Sequence, residues 1–392
     1  MKISAILSVI SLGFGLVMGG NACSKASASE GNVPTPCNPA ASGPAPASGA
    51  IPARDWSKYP VVAQVNTSQD IYAIGDTHGD PDRLNNVLLA AGLIQAGVGP
   101  GTYANVKWAA GKAVLVVTGD MIDKYPHALD VITLLRALQA DAASKGGQVI
   151  ITMGNHEGEF LADPGGKKTS MFAGELTAAK MDVMEVGTCK TDLGAFLCQL
   201  PIAAKVNDWF FSHGGNTGGQ TIAALSQSIQ DGYQQNGFAT KALVGCNSIL
   251  EARLNDKGPA NLAWIYNGVA GSKPKKLLQD YAKALGVNHM VQGHQYGKLA
   301  FPDGQNRKKK EFFQRYGLYF LIDTAMSRGI GTAVDEDDEH DKDSNMYSLG
   351  GALHITGPAG AQTAMLVCAN GKQTTLWDNK KNKDYKAQVC GE

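Results

Sequence analysis

The sequence predicts an α/β protein organised on a parallel sheet, and three observations lead there. The stretch from Val114 to Glu157 reads as strand, acidic loop, helix, strand and second polar loop, with VLVV and VIIT as its two apolar runs. Such short, β-branched, continuous runs suit strands buried on both faces of a sheet. Similar runs recur at Ile71–Ile74, in VNHMVQGH (287–294) and in LYFLIDTAM (318–326). Each ends in polar residues, so the loops that follow should collect on one sheet edge, where α/β proteins place their chemistry.

Taken in order, the chain begins with Lys2 and an uncharged apolar run from Ile3 to Val17, followed by small residues, the layout of a secretory signal. Asn21-Ala22-Cys23 is similar to a bacterial lipoprotein box with Gly20 in place of the usual leucine, so a signal of residues 1–22 with lipid on Cys23 stands beside ordinary cleavage near Ala28. Residues 23–54, rich in Ser, Ala, Gly and Pro, read as a flexible spacer, and residues 55–392 as one domain. The expected location is therefore exported, periplasmic or at the cell surface, with a lipid anchor as one form. Seven cysteines leave six if Cys23 is lipidated, enough for three disulfides in an oxidising compartment. Cys189 with Cys198 and Cys368 with Cys390 are closest in sequence, but spacing does not decide connectivity.

In the body, Ile71–Ile74 is read as the first strand, and Pro81 opens a helix that Gly92 stops. Residues 92–113 read as a loop or hairpin excursion. After Glu157, helices are expected near 170–185, 191–200, 219–235 and 240–254, as a cap-like insertion over about 160–275, interrupted by a strand VNDWFF (206–211) that runs into His213. The charge run 335–343 and the basic run 307–310 read as exposed loops, and Asn370-Gly371 marks a hairpin adding antiparallel strands. Equal numbers of basic and acidic residues, 35 each, argue against a nucleic-acid partner, for which a basic stripe would be expected.

Five loops follow these strands: Asp76-Thr77-His78, Gly119-Asp120 with Asp123, Gly154-Asn155-His156-Glu157, His213-Gly214-Gly215 and Gly293-His294. Carboxylate, imidazole and amide on neighbouring strand ends suit hard or borderline divalent metals. In this order the motifs GDTHGD, GDMIDK, GNHE, HGG and GH resemble those of the calcineurin-like metallophosphoesterases. GNHE with HGG resembles the phosphoprotein phosphatase branch, and Ile322 to Ser327 resembles a segment of the Shewanella-like bacterial phosphatases. The resemblance spans roughly residues 70 to 356.

That resemblance implies a β-sandwich of two mixed sheets flanked by helices, in four α/β/β/α layers, and two metal ions, Mn, Fe or Zn. Asp76, His78 and Asp120 would hold one ion; Asp120, Asn155, His213 and His294 would hold the other. A hydroxide shared by the ions would attack a phosphate monoester, on a protein or a small molecule. His156 would protonate the leaving oxygen, with Asp123 orienting it; Asp123 capping the helix near Pro126 is the competing reading. Glu157 is expected to bond loop amides, and Gly214 and Gly215 to let backbone pass close. Two departures bear on the substrate. The branch's D-R-G reads Asp123-Lys124-Tyr125, exchanging a bidentate guanidinium for a point charge, and the expected Trp-Tyr-Arg segment reads Trp264-Ile265-Tyr266-Asn267. Lys124, Asn155 and Arg328 are then the substrate-binding candidates, with Arg253 a further replacement. Phosphodiesterase or nucleotidase activity on the same scaffold, and a non-catalytic surface protein binding phosphorylated ligands, are the alternatives.

Overall fold

The computed structural model describes residues 51–254, 274–299, 305–330, 347–358, 360–380, 383–384 and 388–391. The signal and most of the spacer, the 335–343 run and the Trp264–Asn267 segment lie outside the described residues. The spacer's last residues are already packed: Ile51 lies against the core, and the Arg54 guanidinium donates to the carbonyls of Tyr59, Cys198 and Leu200.

Two mixed sheets carry the fold. The first contains β1 (Val62–Val65), β5 (Ala203–Val206), β6 (Trp209–Ser212), β7 (His289–Gln292), β9 (Tyr319–Leu321), β8 (Glu311–Arg315) and β14 (Gln388–Val389), in that spatial order. The second runs β13 (Lys383–Asp384), β12 (Gln373–Asp378), β11 (Thr363–Cys368), β10 (Gly351–Thr356), β2 (Ile71–Ile74), β3 (Val114–Val117) and β4 (Gln148–Ile151). Successive residues of a strand face opposite ways. Ile71, Ala73, Val114, Val116 and Ile150 accordingly meet Val206, Trp209, Phe211 and Phe320 of the other sheet in one core, while Ile74, Leu115, Val117 and Ile151 join a second core with the helices. Burial on both faces explains why these strands lack polar alternation.

Helices α1 (Pro81–Ala90) and α2 (Ala128–Ser144) follow β2 and β3. Asp80 caps α1 by accepting from the Arg83 N–H, and Gly92 follows its end with φ +67°. After β4 come α3 (Asn155–Ala162), α4 (Ser170–Ala178), α5 (Val183–Gly187) and α6 (Asp192–Gln199); α7 (Ile222–Asn236), α8 (Lys241–Val244) and α9 (Pro274–Leu285) come later. No helix among the described residues is long and apolar enough to cross a membrane.

Several local expectations need correction. The 160–275 stretch is no continuous cap, because β5 and β6 within it are strands of the first sheet. VNDWFF is a hairpin corner instead of one strand: Val206 pairs with Trp209 across Asn207, whose φ is +54° and whose side chain bonds both backbone groups of Thr67. β1 precedes the strand read as first; its VAQV sequence half-exposes alternate residues and lacks the apolar run. The helix near 240–254 is a single turn, α8, followed by turns. The basic run 307–310 is not all surface: the Arg307 side chain is buried and donates to the carbonyls of Gln295, Glu311 and Asp323. Both short-spaced cysteine pairs, Cys189–Cys198 and Cys368–Cys390, are disulfides.

Candidate active site

Register places the site. β2, β3 and β4 are parallel with Ile74, Val117 and Ile151 level, so the loops bearing His78, Asp120 and Asn155 leave the sheet side by side. β6 and β7 are parallel with Ser212 level with Gln292, which delivers His213 and His294 together. These loops are tight. Of the eleven non-glycine residues with positive φ among those described, five are His78, Asp120, Asp123, Lys124 and His294. Such backbone persists only where its surroundings over-determine it. Around Asp120, Glu157 does so: its buried carboxylate accepts the N–H groups of Asp120 at 2.9 Å, Met121 at 2.7 Å, Ile122 at 3.3 Å and Gly154 at 2.8 Å. Gly119, at φ +91°, passes so close that a Cβ would lie 2.2 Å from the Gly154 nitrogen. A Cβ on Gly214 would likewise meet the carbonyls of Ile249 and Leu250, so this glycine admits neighbouring backbone.

The side chains converge on Asp120. His78 donates from Nδ1 to the Ile122 carbonyl at 3.1 Å, and its Nε2 lies 3.4 Å from the Asp120 carboxylate. His213 donates from Nδ1 to the Thr118 carbonyl at 2.8 Å, and its Nε2 lies 3.3 Å from the same carboxylate. His294 turns Nε2 to the Glu251 carbonyl at 3.2 Å, leaving its Nδ1 only 3.0 Å from His213 Nε2. The Asn155 side-chain amide sits 2.9 Å from that nitrogen as well. Tautomers set by backbone carbonyls thus aim lone pairs at lone pairs. One proton relieves one such contact, whereas a cation accepts all of them at once, so the donor set fits a metal. The electrostatics agree. Burial opposes charge on His213, yet Asp120 and Asp76 outweigh it and push the imidazole up to about 10, a measure of how strongly the carboxylates demand positive charge here. Burial also raises Asp120, but His213, His156 and His78 more than offset it and hold the carboxylate well below its usual range.

Among the described residues, two groups have the compactness of metal sites, His78–Asp120–His156 and Asp120–His213–His294, sharing Asp120. Asp76 lies outside both; its carboxylate oxygens accept the His294 N–H at 3.0 and 2.9 Å. A family model described as calcineurin-like phosphoesterase matches residues 70–297, more than half of the chain. The chain belongs to the calcineurin-like phosphoesterase family. Calcineurin-like phosphoesterases use metal ions, and both candidate groups lie within the matched span.

Among curated relatives, Shewanella-like protein phosphatase 1 of Plasmodium berghei is 30% identical over 41% of this chain and 43% of its own length. Shewanella-like protein phosphatase 2 of Arabidopsis thaliana is 31% identical over 22% of this chain and 20% of its own. An uncharacterized protein of Schizosaccharomyces pombe is 39% identical over 26% of each. The chain therefore matches less than half the length of these relatives. Solved structures extend the likeness at the level of fold. A cold-active protein tyrosine phosphatase superposes with TM-score 0.55 at 18% identity over 86% of this chain and 87% of that one, and the cold-active enzyme of a psychrophilic Shewanella with TM-score 0.53 at 18% over 81% and 83%.

At this family's site, Asp123 and His156 form a buried pair, Oδ2 to Nδ1 at 3.0 Å. Burial lowers the His156 pKa, but Asp120 and Asp123 outweigh it, so the net shift is upward. Asp123 does not cap α2. The carboxylate of Glu175, on α4, accepts from the Ala128 and Leu129 N–H groups at 2.9 and 2.8 Å, while Asp123 Oδ1 accepts from Phe172 N–H in the first turn of α4. Lys124 lies near enough to His78 and His156 to oppose a proton on either. Arg253 acts likewise on His294.

Arg328 is engaged by two aspartates. Its Nε and Nη2 bind both Asp80 oxygens at 2.8 and 2.7 Å, Nη2 also meets Asp82 at 2.9 Å, and the guanidinium lies 4.9 Å from the centre of the Tyr125 ring. Two carboxylates thus occupy its Nε and Nη2 donors. Sequence reading missed Glu175 altogether and read Arg307 only as part of an exposed loop, because their partners lie 46 or 47 residues away for the first and mostly on other loops for the second. Asp323 was noted only as part of a resembling segment; it sits close enough to help push the Asp76 carboxyl up, after burial itself.

Proposed function

We propose that this protein is an exported, metal-dependent phosphomonoesterase. The observation that carries the reading is the His156–Asp123 pair standing beside a carboxylate toward which neighbouring imidazoles turn their second nitrogens. Asp76, His78 and Asp120 would hold one ion, and Asp120, Asn155, His213 and His294 a second. When bound, such a pair supplies a water that loses its proton near neutral pH and neutralises the charge of the phosphate.

The chain's own residues do the rest. Asp123 accepts from His156 Nδ1, which fixes the ring and favours its charged form, and the other ring nitrogen is left to protonate the departing oxygen. A binding module has no use for such an acid, which weighs against the non-catalytic alternative. Lys124, beside His78 and His156, supplies positive charge on that side without the bidentate geometry of arginine. The names of the Shewanella-like relatives favour a phosphoprotein substrate. Export is supported by the disulfides Cys189–Cys198 and Cys368–Cys390, a kind of bond that persists in oxidising compartments, and by the signal-like start of the sequence.

The test is a substrate panel on the metal-analysed protein: phosphomonoesters, phosphodiesters and peptides phosphorylated on serine, threonine or tyrosine. Monoester turnover that depends on bound metal is expected. Metal-loaded protein that hydrolyses none of them sinks the reading; diester-only turnover replaces it with the phosphodiesterase one.

A further inference from the structure

The two arginine positions of the phosphoprotein phosphatase branch that this chain resembles read here as Lys124 and a segment without arginine, and Arg328 is paired with Asp80 and Asp82. Lys124 flanks one side of the site, near His78 and His156. Around Asn155 and His294 lies a second lysine, one that no motif of the chain singles out. Lys168 follows α3 in a short turn, its ammonium ion-paired with Glu159 and 3.7 Å from Glu251. It also lies 3.2 Å from the outer atom of the Asn155 amide and close enough to His294 to oppose a proton there. The Glu159 and Glu251 side chains are largely buried, whereas the lysine's is 41% exposed. A sunken acidic pair, in which burial and then Glu251 push the Glu159 carboxyl up to about 8, thus sits under an ammonium that still faces solvent at the rim.

We propose that Lys168 is a substrate-specificity residue: together with Lys124, it contributes the positive charge that favours a phosphate dianion over a monoanion. The inference rests on the phosphatase reading given above. An amine on a flexible stem exchanges partners readily, so an arriving phosphate oxygen can share it with Glu159. Glu159 and Glu251 act as positioning residues that keep the ammonium beside Asn155 when no anion is present. Because Coulomb energy scales with the charge of the guest, a fixed positive charge raises affinity for a dianion by about the square of the factor it gives a monoanion. The site should therefore select monoesters and free phosphate over diesters by charge count and not by bidentate shape.

The experiment compares wild type, Lys168→Met and Lys168→Arg, each checked for metal content and melting temperature. Binding of inorganic phosphate at about pH 8, where it is mainly dianionic, and of dimethyl phosphate, a monoanion, is measured by calorimetry at low salt. Lys168→Met should weaken phosphate binding by about 10-fold and dimethyl phosphate by about 3-fold. Lys168→Arg should stay within about 2-fold of wild type for both, since it keeps the charge. Equal weakening of both anions, or none, overturns the proposal. Should Lys168→Met lower metal content, Lys168→Gln, which keeps a donor for Glu159, carries the same comparison. Calorimetry needs no turnover, so phosphate selectivity without hydrolysis would count against the phosphatase reading alone, and hydrolysis with unchanged selectivity against this proposal alone.

Discussion

The inner cluster and the cationic rim of this site are built by opposite means. Asp120, His78, His213 and His294 are buried, and each histidine is oriented by a carbonyl of another loop, so their geometry is part of the fold. Lys124, Lys168, Arg253 and Arg328 are partly exposed, and ion pairs with carboxylates hold Lys168 and Arg328. The contrast suggests a division of labour: the interior determines the chemistry, and the rim determines which anion receives it.

Substitutions can break or sharpen that contrast, and the largest effect should come from the centre. Asp120→Asn removes the carboxylate common to both compact groups, and both bound metal and turnover should fall, turnover by about 1,000-fold or more; elemental analysis beside kinetics checks it. An Asp120→Asn protein that keeps its metal and rate would show the convergence to be packing alone. His156→Ala should lower kcat by about 100- to 1,000-fold while metal content stays within error, which separates proton donation from metal holding.

Asp123→Asn should be milder, about 10-fold to 100-fold in kcat, and should change the pH profile. The raised pKa of His156 keeps it protonated above its ordinary range, and activity that needs the acid form declines as pH rises through that value. Removing Asp123 removes one cause of the rise, so the alkaline decline should move to lower pH; a decline that stays in place would assign the acid to another group.

The smallest effect on catalysis is expected at Arg328→Ala. Because its partners are Asp80 and Asp82, KM should remain within about 2-fold, while stability falls by about 1–3 kcal/mol as the buried Asp80 carboxylate loses its charged donor. Denaturant titration and KM together decide it. A large rise in KM with unchanged stability would return Arg328 to the substrate and erase the distinction between it and the lysines.

The legibility of the molecule follows the same contrast. β2, β3, β4, β7 and β9 were readable because burial on both faces leaves an apolar run in the sequence, and the residues just past their ends share an edge whatever the intervening helices do. β1 was not, since alternate residues of VAQV are partly exposed. VNDWFF misled because Val206 and Trp209 belong to strands facing each other across Asn207, and an apolar count cannot see a reversal of direction. At the site, Asp120 and its histidines were nameable one strand end at a time.

By itself, the sequence determined the α/β class, the set of polar loops and the family to which they belong, because each of these is written within a few residues of a strand end. Tertiary structure alone decided the partners. Asp123 reaches α4 at Phe172, Glu175 returns to cap α2, Asp80 takes Arg328 from 248 residues away, and Lys168 is set beside Asn155 by Glu159 and Glu251. Charge pairing depends on distance in space, and only the folded chain supplies that distance.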